Sequence, residues 1–160
     1  MAFALDETPF EYKDDADKTA EGRVKPGWFT MGDIGYVDED GYLFLCDRRA
    51  DVIISGGVNI YPAQIESVLL ERPEIADCCV VGIPNEEWGE EVRAVVQLVE
   101  GTAPSEATAE AILAHCGAHL SGYQVPRSLD FDEALPRTET GKLARRSIRG
   151  RYWEGRASRV

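Results

Sequence analysis

Lys142 ends the stretch Pro136-Arg137-Thr138-Glu139-Thr140-Gly141-Lys142, a turn-forming loop that leads into an arginine-rich segment. A lysine so placed can carry one compact positive charge onto a phosphate or a carboxylate. It is suited to neutralise charge developing between a carboxylate and the α-phosphate of ATP. A lysine near a helix start gains nothing from the macrodipole, which favours a chemical role over a structural one. Gly27-Trp28-Phe29-Thr30-Met31-Gly32-Asp33 presents a carboxylate on a turn, and Asp33 can accept hydrogen bonds from two adjacent hydroxyls, as on a ribose. Asp47-Arg48-Arg49-Ala50-Asp51 runs on to Ser55-Gly56-Gly57, a hairpin followed by a glycine loop. There Arg48 can contact a nucleotide, and the glycines let a thin ligand arm pass close to the backbone.

Taken singly, each feature also reads as ordinary structure. Asp33 can merely close a turn, and Arg48 can form a surface ion pair of small worth. Ser55-Gly56-Gly57 lacks the spacing of a phosphate-binding glycine loop and serves equally as a strand-to-helix turn. His115 and His119 stand four apart on a helix, but Cys116 occupies the position where a zinc-protease helix carries glutamate, so no metal site is expected. No Ser-His-Asp arrangement is visible, and Trp88-Gly89-Glu90-Glu91 reads as a structural loop between strands. It is the order and spacing of the three motifs together that point to one chemistry.

The elements that must position these residues follow from pattern. Residues 1–26 are polar and read as an extended or loop segment. Asp38-Glu39-Asp40-Gly41 is a hairpin turn leading into a strand from Tyr42 to Leu45. Arg48-Arg49-Ala50 forms a bend, and a strand follows over Asp51-Val52-Ile53-Ile54. Pro62 opens a helix that carries Ile65, Val68 and Leu69 at helical spacing through Glu71. Ile75 to Ile83 is a buried strand, Pro84-Asn85 a turn, and Val92 to Val99 its antiparallel partner. Ser105 caps a helix running to Leu120. A strand over Arg127 to Phe131 and a helix from Lys142 to Trp153 complete the chain. This order gives an α+β fold, a small mixed sheet with packed helices, preceded by short β-strands.

The 160 residues fit one domain or a domain plus a fragment. A net charge of −12 argues against general nucleic-acid binding, which needs a basic face. Residues 137–160 nonetheless carry eight bases against two acids. Such a basic end on an acidic body can meet an anionic ligand, or it can be a solvated helix. Cys46, Cys78, Cys79 and Cys116 form no Cys-x-x-Cys pair, and Cys78 and Cys79 face opposite sides of a strand. Reduced thiols in a cytoplasmic protein are expected. The first eleven residues do not read as a signal peptide, and no stretch approaches the ~20 apolar residues of a membrane span.

With these residues in view, the chain resembles the C-terminal part of the AMP-forming acyl-CoA synthetases, within the adenylate-forming superfamily. The resemblance runs from about Tyr12 to Tyr152 and rests on Gly27–Asp33, on the stretch from Asp38 to Pro62, and on Leu135–Arg146. Ser55 to Pro62 is most similar to the fatty-acid and aryl-acid CoA ligases. The resemblance implies a reaction in two halves, in which a carboxylic acid and ATP give an acyl-adenylate and CoA then displaces AMP. In that family the C-terminal domain rotates between the halves, and the resemblance implies the same here. It further implies that Lys142 serves adenylation, that Asp33 and Arg48 hold the nucleotide, and that Arg49, Ala50 and Asp51 form the hinge. Ser55, Gly56 and Gly57 would line the pantetheine passage.

The chain departs from the family pattern at three positions. Met31 stands where threonine is usual, Ala50 where the hinge carries Asp or Lys, and Gln124 where lysine is common near a CoA phosphate. Residues 1–46 resemble the end of the large N-terminal domain, and 47–160 the complete small lid domain. The family's phosphate loop, acyl pocket and Mg2+-binding glutamate belong to the large N-terminal domain and are not in the sequence. A chain without them is expected to be a fragment that is inactive alone. The alternatives are a non-catalytic docking module and an adenylation lid that serves an acyl carrier protein.

Overall fold

The computed structural model describes residues 1–4 and 11–155. Arg156 and Arg159 of the basic end lie outside the described residues, as do residues 5–10 of the first eleven. Contacts divide the chain into two compact units, Met1–Ala50 and Asp51–Val160.

The first unit contains β1 (Phe3–Ala4), α1 (Ala16–Gly22), β2 (Arg23–Lys25), β3 (Trp28–Phe29), β4 (Asp33–Val37) and β5 (Leu43–Arg48). β1, β3 and β2 form a three-stranded antiparallel sheet, while β4 and β5 pair as a separate hairpin. The helix α1 corrects the expectation of a loop over 1–26. Asp15 caps it by accepting from the Lys18 N–H at 3.0 Å, and Gly22 lies so close under the Phe29 ring that a Cβ there would sit 2.2 Å from it. The helix has seven residues and buries only Thr19 and Gly22, too little apolar periodicity for pattern to reveal it.

The second unit holds β6 (Ile53–Ser55), β7 (Val58–Ile60), α2 (Pro62–Leu69), β8 (Ile75–Asn85), β9 (Gly89–Leu98), α3 (Glu106–His119), β10 (Ser128–Phe131) and α4 (Arg145–Trp153). Its mixed sheet runs β10-β9-β6-β7, with β8 paired antiparallel to β9 and β10 parallel to it. The α+β expectation is met here. Val80, Val92, Ala94 and Val96 pack with Ile65, Leu69, Ile112 and Cys116 in one buried cluster. Cys79, Val81, Ile83 and Val95 pack with Leu135 and Ile148 in another. β8 and β9 are therefore covered on both faces, which is why they read as near-continuous apolar runs rather than alternating ones. Cys78 and Cys79 fall into different clusters, as strand alternation requires. Ser105 caps α3 by accepting from the Thr108 N–H at 3.1 Å, also as expected.

Several element boundaries differ from the pattern. Gly56-Gly57 is not a strand-to-helix turn but the two-residue tip of the β6–β7 hairpin, flanked by the pair Ser55↔Val58. Pro84-Asn85 does not turn the chain, because β8 continues through both residues. Pro84 is in phase with Val80 and Gly82, whose free backbone groups point away from β9, so its missing N–H costs no ladder bond. Finally, α4 begins at Arg145, and Lys142 belongs to the loop before it.

Candidate functional site

Asp33 and Arg48 are brought together by the β4–β5 hairpin, where they are register partners. Arg48 Nε lies 3.8 Å from Asp33 Oδ1, with the two side chains 70% and 28% exposed, so the pair is open to a ligand and weakly held. Gly32, before Asp33, has φ +81°, a left-handed conformation that suits glycine. Its N–H donates to Thr30 Oγ1 at 3.1 Å, so the hydroxyl that orders this turn comes from Thr30. Met31, at the position where the family pattern has threonine, is exposed.

Arg49 and Ala50, expected as hinge residues, form an exposed turn after β5, tied back by the Arg49 N–H donating to Gly32 O at 2.7 Å. Asp51 opens the second unit, and its carboxylate lies 3.6 Å from Arg145 Nε.

The hairpin tip at Gly56 and Gly57 has φ +57° and +84°, the left-handed pair that a two-residue turn needs. Gly56 donates to Trp88 O at 2.8 Å, and a Cβ on Gly56 would lie 2.6 Å from the Trp88 ring. The Arg127 guanidinium stands 5.6 Å over the same ring. Trp88 is therefore the platform for the glycine turn. The strand after it begins at Gly89, so Glu90 is a strand residue and not part of a loop. Gln124 donates to Gln64 Oε1 at 2.9 Å rather than presenting a charge.

Lys142 sits on a closed turn. An isolated bridge joins Arg137 and Leu143, and Thr138 N–H donates to Lys142 O at 2.8 Å. Lys142 N–H returns to Thr138 Oγ1 at 3.2 Å, and Gly141 takes φ +78°. Thr138 thus fastens the loop through its N–H and its hydroxyl. The Lys142 side chain is exposed and makes no ion pair with any described residue. It belongs to the second unit with the glycine turn, whereas Asp33 and Arg48 belong to the first.

Pattern did not reveal the buried charges around this turn. Arg145 makes a bidentate pair with Glu66, Nη1–Oε1 at 2.6 Å and Nη2–Oε2 at 3.0 Å, and Nη1 also donates to Val80 O at 2.6 Å. Glu66 accepts from the Val80 N–H at 2.7 Å. Burial opposes the Arg145 charge, but the Glu66 hydrogen bonds outweigh it and hold the guanidinium above the usual arginine range. Arg149 reaches Glu90 at 2.8 Å, and that carboxylate, only 5% exposed, also accepts from the Ile54 N–H at 3.0 Å. Arg151 pairs with Asp132 and Arg137 with Asp77. Four of the six described bases of this end are thus paired within the fold, leaving Lys142 and Arg146 exposed and outside any ion pair with the described residues. The spacing of Arg145 and Arg149, one helical turn apart, was the available signal that both face the sheet.

Among the described residues no group of three or more His, Cys, Asp or Glu side chains is placed to hold a metal ion. None of their helices is long and apolar enough to cross a membrane.

Residues 64–142 match the AMP-binding enzyme C-terminal domain family. The 2-succinylbenzoate–CoA ligase of Geobacillus kaustophilus is 47% identical over 126 residues, 79% of this chain and 25% of that protein. The fatty acid–[acyl-carrier-protein] ligase ScoC of Streptomyces coeruleorubidus is 43% identical over 150 residues, 94% of this chain and 28% of its own length. Among solved structures, the o-succinylbenzoate CoA synthetase of Bacillus subtilis, in complex with the acyl-adenylate intermediate OSB-AMP, superposes with a TM-score of 0.75 at 36% identity. That match covers 84% of this chain and 27% of the solved one. The chain spans about a quarter of the length of the curated relatives it matches.

Proposed function

This chain belongs, through residues 64–142, to the AMP-binding enzyme C-terminal domain family, and from that premise we propose that it is the C-terminal portion of a cytoplasmic, ATP-dependent carboxylic acid–CoA ligase. Residues 1–46 end the large domain of that ligase and 47–160 form its lid, with Arg49, Ala50 and Asp51 as the hinge. In the first half-reaction a carboxylate oxygen attacks the α-phosphorus of ATP, and pyrophosphate leaves. In the second, the CoA sulfur attacks the acyl carbon, and AMP leaves with the bonding electrons. Lys142 supplies positive charge to the first step, while Asp33 and Arg48 hold the nucleotide. Ser55, Gly56 and Gly57 line the passage for the pantetheine arm, where a side chain on the turn would obstruct it. Mg2+, the acyl pocket and the remaining ATP contacts come from polypeptide beyond the matched quarter.

The observation that carries this assignment is the Lys142 turn: an exposed ammonium, outside any ion pair with the described residues, on a hydrogen-bonded loop inside the family segment. In the complete ligase, Lys142→Ala is expected to abolish acid-dependent ATP–pyrophosphate exchange while sparing thioester formation from supplied acyl-adenylate. Equal loss in both assays removes the assignment. The 160-residue chain alone is expected to release no pyrophosphate.

The similarity to a fatty acid–[acyl-carrier-protein] ligase over 94% of the chain favours a second acceptor, the phosphopantetheine arm of a carrier protein. Offering CoA and holo-carrier protein in parallel to the same acyl-adenylate decides between the two.

A further inference from the structure

Arg145 stands between the hinge end of the second unit and the Lys142 turn. It is the first residue of α4, three positions after Lys142, and the intervening chain is fastened by Ala144 N–H donating to Pro136 O at 2.8 Å. Its guanidinium engages three other parts of the unit. The Nη atoms grip Glu66 on α2 and Val80 on β8 at 2.6–3.0 Å, and Nε faces Asp51 at 3.6 Å. Asp51 is the first residue after the exposed Arg49-Ala50 turn. The Glu66 and Val80 contacts are short and buried and serve the fold. The Asp51 contact is longer, and it links the residue after the Arg49-Ala50 turn to the first residue of α4.

We infer that Arg145 and Asp51 form a positioning pair that sets the Lys142 turn against the hinge end of its unit, so that Lys142 reaches the same point each time the lid meets the nucleotide. This rests on the assignment of Lys142 to adenylation. The glycine turn is anchored separately, on Trp88 and β9, and shares none of these contacts. The pair is therefore expected to serve the adenylation half-reaction, while the glycine turn keeps an anchor of its own.

The test uses the complete ligase with Asp51→Asn, which keeps the side-chain shape and leaves the Arg145–Glu66–Val80 contacts in place. The kcat of ATP–pyrophosphate exchange is expected to fall about tenfold, with KM for ATP and acid within about twofold, because a small misplacement of a catalytic group costs rate more than binding. Thioester formation from supplied acyl-adenylate and the melting temperature stay essentially unchanged. Arg145→Lys, which keeps the charge but loses the fork, shows the same split with a larger loss in exchange. Unchanged exchange, or equal loss in both half-reactions for Asp51→Asn, overturns the inference. Lys142→Ala is assayed alongside. If it leaves exchange intact, the lysine assignment fails, whereas its loss together with an unaffected Asp51→Asn condemns only the pair.

Discussion

Replacing Glu66 by glutamine keeps its shape and removes one charge from a buried pair whose partners are only 15% and 18% exposed. Arg145 is then left charged in a desolvated site, so Glu66→Gln is expected to destabilise the chain by about 3 kcal/mol in urea denaturation. The double variant Glu66→Leu with Arg145→Met, which removes both charges, is expected to cost less than that single change. The cysteines give a second measurement. Burial pushes the Cys79 thiol up to about 12 and raises Cys78 and Cys116 as well. Each of these folded values lies above that of the unfolded chain, so the neutral thiol contributes stability at neutral pH and loses it only in strong alkali. A thiol-exchange reagent at pH 8 should therefore react with partly exposed Cys46 and reach the other three only after unfolding. Lys142, Asp33 and Arg48 were legible as candidates because their types suit the chemistry and their neighbours are turn formers. The Glu66–Arg145 pair was not, because its partners stand 79 positions apart and no local period joins them.

The glycine hairpin separates two effects at the scale of an element. At Gly57, with φ +84° and open space around it, an alanine meets only backbone strain and is expected to cost about 1 kcal/mol. At Gly56 the added methyl also collides with the Trp88 ring, so Gly56→Ala is expected to lower the melting temperature further. Pairing Gly56→Ala with Trp88→Ala should leave the two costs non-additive, and thermal denaturation of the four chains measures this coupling. The long apolar strands, α2 and α3 were legible, since burial, proline at the helix start and the Ser105 cap are local signals. β7 was missed because three residues carry too little pattern, and the strand through Pro84 because proline's usual turn signal is silent on an unpaired edge. α4 begins three residues later than its composition suggests, since Thr138 and Arg137 hold the preceding loop.

For the whole molecule, the charge distribution was visible in the sequence but its destination was not. Four of the six described bases of the basic end pair with carboxylates on β8, β9, α2 and the loop after β10, and those on α4 hold the C-terminal helix against the sheet. The same side chains meet one long border of the sheet. β8 pairs with β9 along one side only, and its outward backbone groups at Val80 and Gly82 are met by Glu66, Arg145 and Trp153. An eleven-residue apolar strand left bare would be a template for another chain to join. A chain ended before Ala144 loses two of these three guards. It is expected to self-associate, scattering light at concentrations where the intact chain stays monodisperse. On this reading the helix that follows the Lys142 turn also keeps the molecules apart.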